Sequence, residues 1–211
     1  MSCCLQSHEH RRTMQLAVLR GHFAHGRANW TNAEGLSTRP GAANNTIVVF
    51  TSDHGLAIGS HGLRGKQNMY EHTIGVPLIV RGPGVPAGKQ TAAQCYLRDL
   101  YPTLCEFAGV PAPDDLDGRS LAAVFRDTEA CIHDAVFTHF GPFQRGIRTA
   151  EWKYIVYPQA DREQLFHLGS DPDEIADLSL SADRSAVRDE LRARLTGWRK
   201  SWQDPTLPAG N

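Results

Sequence analysis

The sequence has no apolar run approaching the roughly twenty residues that a membrane-spanning helix requires, so no membrane partner is expected. It has no excess of either charge, with 22 Lys and Arg against 23 Asp and Glu. A balanced chain gives no electrostatic case for nucleic acid or for an acidic partner. Cysteine is sparse and odd in number: Cys3, Cys4, Cys95, Cys105 and Cys131. Their spacings match no zinc pattern and do not fix a redox compartment. Cys95 and Cys105 stand in apolar surroundings and are expected as buried thiols. The first residues, Met1–Arg12, lack the apolar core of a secretory signal, and localisation stays unknown. Acidic side chains are nearly missing from residues 1–43, where Glu9 and Glu34 stand alone. That segment also lacks sustained periodicity. It is expected to be a poorly structured, atypical N-terminal segment with at most one short helix near Thr13–Leu19.

What the chain does have is a run that ends abruptly: Asn45-Thr46-Ile47-Val48-Val49-Phe50-Thr51-Ser52-Asp53-His54-Gly55. The unbroken Ile-Val-Val-Phe predicts a strand buried on both faces. Open α/β sheets place their chemistry just past the carboxyl ends of such strands. Asp53 offers hard oxygen ligands and His54 a neutral nitrogen, so the two can form part of the shell of a divalent cation. Both reach one ion only if the backbone turns, which Gly55 would permit. The competing reading is an Asx turn at a strand end with an incidental histidine. Lys66 follows a glycine-rich approach, Gly62 to Gly65, where backbone can come close to an anion. Taken alone it reads equally as a solvated surface lysine. His61 can touch substrate or serve as a structural loop histidine, and Glu71 is expected to pair with a basic neighbour or to cap a turn.

The stretch from Thr51-Ser52-Asp53-His54-Gly55 through Gly65-Lys66 and Tyr70-Glu71 to Val76-Pro77-Leu78-Ile79 resembles the second metal-binding segment of the sulfatase family, within the alkaline-phosphatase-like superfamily. The resemblance runs over residues 44–203. It implies that Asp53 and His54 ligate one divalent cation, Ca2+, and that Lys66 contacts the sulfate or its leaving oxygen. It implies a small-molecule or glycan sulfate ester as substrate and a formylglycine nucleophile. Members of the family are often periplasmic or secreted. That nucleophile grows from a C/S-x-P/A-x-R motif, and neither Cys4, Cys95, Cys105 and Cys131 nor Ser37 stands in one. The half of the family fold that carries the nucleophile and the first metal carboxylates is not found upstream of Asp53. The expected function is therefore metal-dependent hydrolysis of a sulfate monoester by family, in a chain expected to be truncated. Two alternatives stand beside it: a phosphodiesterase or phosphonate hydrolase of the same superfamily, and a non-catalytic remnant that binds an anion or a partner.

The fold class implied is α/β. Residues 44–130 would be the C-terminal half of the catalytic α/β domain, and 131–211 a small antiparallel-sheet subdomain with a terminal helix. Val76–Val80 reads as a second buried strand. Leu97–Gly109 reads as a helix capped by Asp99 and stopped by Gly109, with Leu100, Leu104 and Phe107 as its apolar face. Asp114 and Asp115, among Pro and Gly, read as a solvated loop. Short β-branched and aromatic runs at 135–139, 146–149, 152–157 and 164–168 predict an antiparallel sheet. Arg145, Arg148 and Lys153 are read as charge on the sheet surface, with a polyanion-binding role as the rival. Val187, Leu191, Leu195, Trp198 and Trp202 fall on one face of a final helix.

Overall fold

The computed structural model describes residues 45–207 together with the backbone of Met14–Leu16. The remaining expectations for residues 1–43 lie outside the described residues. At Met14–Leu16 the backbone is a strand, β1, and not the short helix expected there. It pairs antiparallel with β4 (Lys89–Thr91), so a short apolar run has taken the strand option that periodicity alone cannot exclude.

Two compact units divide the chain, and they do not follow chain order. Of the described residues, one contains Met14–Leu16, residues 45–53 and Pro77–Ile132; the other contains His54–Val76 and residues 133–207. Segment 54–76 thus groups with the C-terminal sheet, across the linear division at residue 130.

In the first unit β2 (Val48–Thr51) pairs antiparallel with β3 (Leu78–Arg81), with Val49 opposite Val80. Burial of β2 on both faces does not hold: its residues are half-buried and Phe50 is 37% exposed. Among the described residues it has one paired strand, so the apolar run sits in a two-stranded ribbon, and only β3 is deeply covered. Leu78 and Val80 meet Leu121 and Phe125, the latter from α3 (Ala122–Arg126). α2 (Leu100–Ala108) follows a short 3-10 turn and ends at Gly109 with φ 66°, a left-handed stop that glycine adopts without strain. Its apolar face differs from expectation. Leu100 and Phe107 pack on the core, but Leu104 is 41% exposed and Thr103 is buried instead. The Thr103 hydroxyl donates to the Asp99 carbonyl and accepts the Leu121 N–H, which satisfies it there. Asp99 does not cap α2 forward: it accepts the Tyr96 N–H behind it and the Arg119 N–H across the unit.

The second unit is a four-stranded antiparallel meander, β5 (Ala135–Phe140), β6 (Gln144–Thr149), β7 (Trp152–Tyr157) and β8 (Arg162–His167). Side chains alternate between faces along each strand. Ile147, Tyr154 and Leu165 turn toward α4 (Ser185–Ser201), whose Leu191 and Leu195 are buried against them. Ile155 and Phe166 turn the other way and pack on Met69 and Tyr70. The sheet therefore lies between α4 and the 54–76 segment. That is why three consecutive residues of β7, Lys153, Tyr154 and Ile155, are all buried.

Candidate functional site

Asp53 closes the loop after β2 in the first unit, and Ser52 Oγ approaches its Oδ1 at 3.5 Å. The next residue, His54, opens the second unit. Its ring is held at both nitrogens: Nδ1 lies 3.0 Å from the Gly55 carbonyl and Nε2 lies 2.7 Å from Lys66 Nζ. An ammonium only donates. Nε2 therefore accepts from Lys66, and the ring proton sits on Nδ1, where it reaches the Gly55 carbonyl. Two residues singled out from the sequence, twelve positions apart, are in direct contact.

The loop between them explains how. Ala57 N–H donates to the Gly65 carbonyl at 2.8 Å, and Gly59 N–H to the Leu63 carbonyl at 2.9 Å, so the chain doubles back and returns Lys66 beside His54. Gly59, Gly62 and Gly65 carry φ of 95°, 68° and 123°, values that side chains resist. Leu56, Ile58, Gly59, Arg64 and Gly65 line an open depression of about 450 Å³ in this loop. Gly55 is needed for another reason. Its φ is not positive, but a Cβ there would lie 2.0 Å from the His72 carbonyl oxygen. Close approach, not the turn inferred from sequence, demands glycine at that position.

His61 also takes φ of 54°. Its ring stacks on Tyr70 with centroids 3.9 Å apart and planes 5° apart, and its Nε2 donates to the Asp173 carbonyl at 3.0 Å. Both contacts are structural ones.

Behind the loop lies a feature that sequence reasoning placed wrongly. Lys153 is not surface charge but 1% exposed, with Nζ 2.7 Å from Glu71 Oε1 and 2.8 Å from Glu174 Oε1. Arg148, directly opposite Lys153 across β6 and β7, reaches Glu71 Oε1 at 3.4 Å. Arg145 is buried too and is bound through two nitrogens to Asp204. None of the three lies open on the sheet surface; each is used in a buried or half-buried ion pair. Of the two roles expected for Glu71, it takes the pairing with basic neighbours. Burial alone would raise its pKa, but Lys153 and Arg148 outweigh that and hold it at about 2. For Glu174 burial dominates, and its pKa is pushed above the ordinary carboxylate value despite Lys153. No local signal marks Lys153 as buried, because the cover over its face of the sheet comes from Met69, Tyr70 and their neighbours.

Calcium takes roughly six to eight oxygen ligands. Among the described residues no group of three His, Cys, Asp or Glu side chains is arranged to hold a metal ion. Asp53 and His54 are chemically suited to part of such a shell. His54 Nε2 could serve a metal only by releasing Lys66.

Residues 59–201 match the family model for N-sulphoglucosamine sulphohydrolase, C-terminal. Arylsulfatase K of Rattus norvegicus is 36% identical over 150 residues, covering 64% of this chain and 26% of that protein. N-acetylglucosamine-6-O-sulfatase of Bacteroides thetaiotaomicron is 33% identical over 177 residues, covering 78% of this chain and 32% of that protein. A protein solved in complex with its substrate D-glucosamine-2-N,6-O-disulfate superposes with a TM-score of 0.73 at 27% identity, over 86% of this chain and 40% of that one. The chain spans only about a quarter to a third of these curated relatives.

Proposed function

The chain belongs to the sulfatase family, matching its C-terminal portion, and on that premise we propose that it supplies the anion-facing lysine of a hydrolase that cleaves a sulfate monoester. The contact between Lys66 Nζ and His54 Nε2 carries this reading. One ammonium proton is committed to His54, which aims the group, and two remain to donate to oxyanions. Cleavage of the ester S–O bond leaves the alcohol oxygen with developing negative charge. A fixed ammonium aimed there lowers the barrier, because the donor is already oriented when the charge appears. The His54 ring acts through Lys66 in this scheme and needs its proton on Nδ1 to do so. His61 forms a wall of the approach through its stack on Tyr70.

We assign Asp53 as a donor to a divalent cation whose other ligands come from elsewhere, and His54 as a second donor only in a state where Nε2 has released Lys66. When bound, such a cation would neutralise non-bridging sulfate oxygens. A sulfated amino sugar is the substrate class proposed, by similarity to relatives that act on sulfated glucosamines.

Because no C/S-x-P/A-x-R motif surrounds the cysteines here, binding and not turnover is the direct test. Sodium sulfate is titrated into the isotope-labelled chain and followed by nuclear magnetic resonance. Saturable shifts at His54 and Lys66 are expected in the wild type, and their loss is expected in Lys66→Met. An equal response in both proteins removes Lys66 from the anion site. Calcium titration of Asp53→Ala is expected to show lost binding, and unchanged affinity would strike Asp53 from the ligands. Tighter binding of a phosphonate monoester than of an aryl sulfate would favour a phosphonate hydrolase instead.

A further inference from the structure

We propose that Lys153, buried near the start of β7, is a positioning residue that holds the His54–Lys66 pair in place through Glu71 and the one-turn helix α1 (Glu71–Ile74).

α1 has four residues, far too few to be stable alone, since helix nucleation costs more than one turn returns. Something outside it must hold it. Its first residue, Glu71, is gripped twice: the carboxylate by Lys153 at 2.7 Å, and the backbone N–H by Glu174 Oε2 at 2.6 Å. Glu174 is in turn fixed by Lys153 at 2.8 Å. One ammonium on the central strand thus orders both groups that seize the start of α1. The other end closes on itself, with Gly75 N–H donating to the Glu71 carbonyl at 2.8 Å.

From α1 the path to the site is one hydrogen bond long. The Thr73 carbonyl accepts the Gly55 N–H at 2.8 Å, and the His72 carbonyl lies so close to Gly55 that no Cβ would fit. Gly55 provides the carbonyl that takes the His54 Nδ1 proton and so leaves Nε2 to Lys66. If α1 loosens, Gly55 shifts and the tautomer that accepts from Lys66 is no longer selected. A buried lysine between two carboxylates is a costly way to obtain stability alone, because desolvation offsets most of the attraction. It does give a single registered arrangement, which a site needs to hold its groups still.

This inference rests on reading His54 and Lys66 as the anion-facing pair, and the experiment separates the two. The 211-residue chain is labelled with 15N-histidine and compared with Lys153→Met and Glu71→Gln at neutral pH. Glu71→Gln keeps the side-chain shape and the Lys153–Glu174 pair, so a folded protein is available even if Lys153→Met does not fold. In the wild type the His54 ring should carry its proton on Nδ1. In the folded variants that signature should give way to a mixture of tautomers. The Gly55 amide should exchange at least about tenfold faster, while amides of Tyr154 and Leu165 keep their protection. A folded Glu71→Gln protein with an unchanged His54 ring and unchanged Gly55 exchange overturns the proposal. Loss of the His54 signature in the variants, with no sulfate response even in the wild type, would uphold the positioning role and sink the anion reading. Equal sulfate binding by wild type and variants would do the reverse.

Discussion

Glu71 makes this fold sensitive to acid in a way that can be isolated. Its pKa falls from an ordinary value of 4.5 to about 2 because Lys153 and Arg148 favour the ionised form more than burial opposes it. A depressed carboxylate stabilises the fold above its unfolded pKa, and that contribution disappears as pH drops through the folded value. The window is therefore about pH 4.5 to 2. At about 1.4 kcal/mol per pKa unit, the contribution at neutral pH is about 3 kcal/mol. Glu174 shifts the opposite way, so its effect falls above pH 4.5 and does not overlap this window. The perturbation is Glu71→Gln, measured by urea unfolding from pH 7 to pH 2.5. Tryptophan fluorescence suits it, since Trp152, Trp198 and Trp202 all lie in the unit that contains Glu71. The variant should be about 3 kcal/mol less stable at neutral pH, and the two curves should converge toward pH 2. Curves that run parallel through the acid limb would refute the reasoning, because they would mean that Glu71 loses nothing on protonation.

Other outcomes follow from the same geometry. Gly55→Ala should lose about 3 kcal/mol or more by thermal unfolding and should also abolish the His54 Nδ1–H signature, since a Cβ would sit 2.0 Å from the His72 carbonyl oxygen. Leu195→Ala should cost about 2–5 kcal/mol in denaturant titrations, because Leu195 is buried against β6 and β7. Trp202→Ala, at a half-exposed end of the same helical face, should cost far less, and equal losses would contradict the assigned packing. Asp204→Asn should lower stability by about 3 kcal/mol, because Arg145 at 2.7 Å and Arg199 at 2.7 Å would lose their shared carboxylate. A melting temperature unchanged in that variant would mean the pairs contribute nothing net.

Much of the second unit was legible in the sequence because its signals are local. Four strand runs, the turns between them and the steps of four, four and three residues from Val187 to Trp198 each sit within a window of a few residues, and each became the expected element. The contact between His54 and Lys66 was legible only coarsely, with His54 read as a cation ligand and Lys66 as an anion contact, without the loop bonds that close residues 57–65. What sequence concealed is non-local. An alternating strand announces one buried face, and nothing in Trp152–Tyr157 says that residues some eighty positions earlier cover the other. Lys153 therefore read as surface charge. The same gap explains Leu104, which follows the apolar pattern yet loses its place to Thr103, whose hydroxyl finds partners at Asp99 and Leu121.

The misread residues share a cause, and it bears on how the site works. The chain buries Arg145 and Lys153 and half-buries Arg148, and each is tolerated there because a carboxylate arrives from a distant segment: Asp204, Glu71 and Glu174. An apolar core would hold the same segments together and would tolerate small slips among them. Paired charges do not, because a displaced partner leaves an uncompensated ion inside the protein. The sheet is thus tied to the 54–76 segment by contacts that permit one register. That segment carries His54 and Lys66, whose separation must stay within hydrogen-bond reach if one is to aim the other.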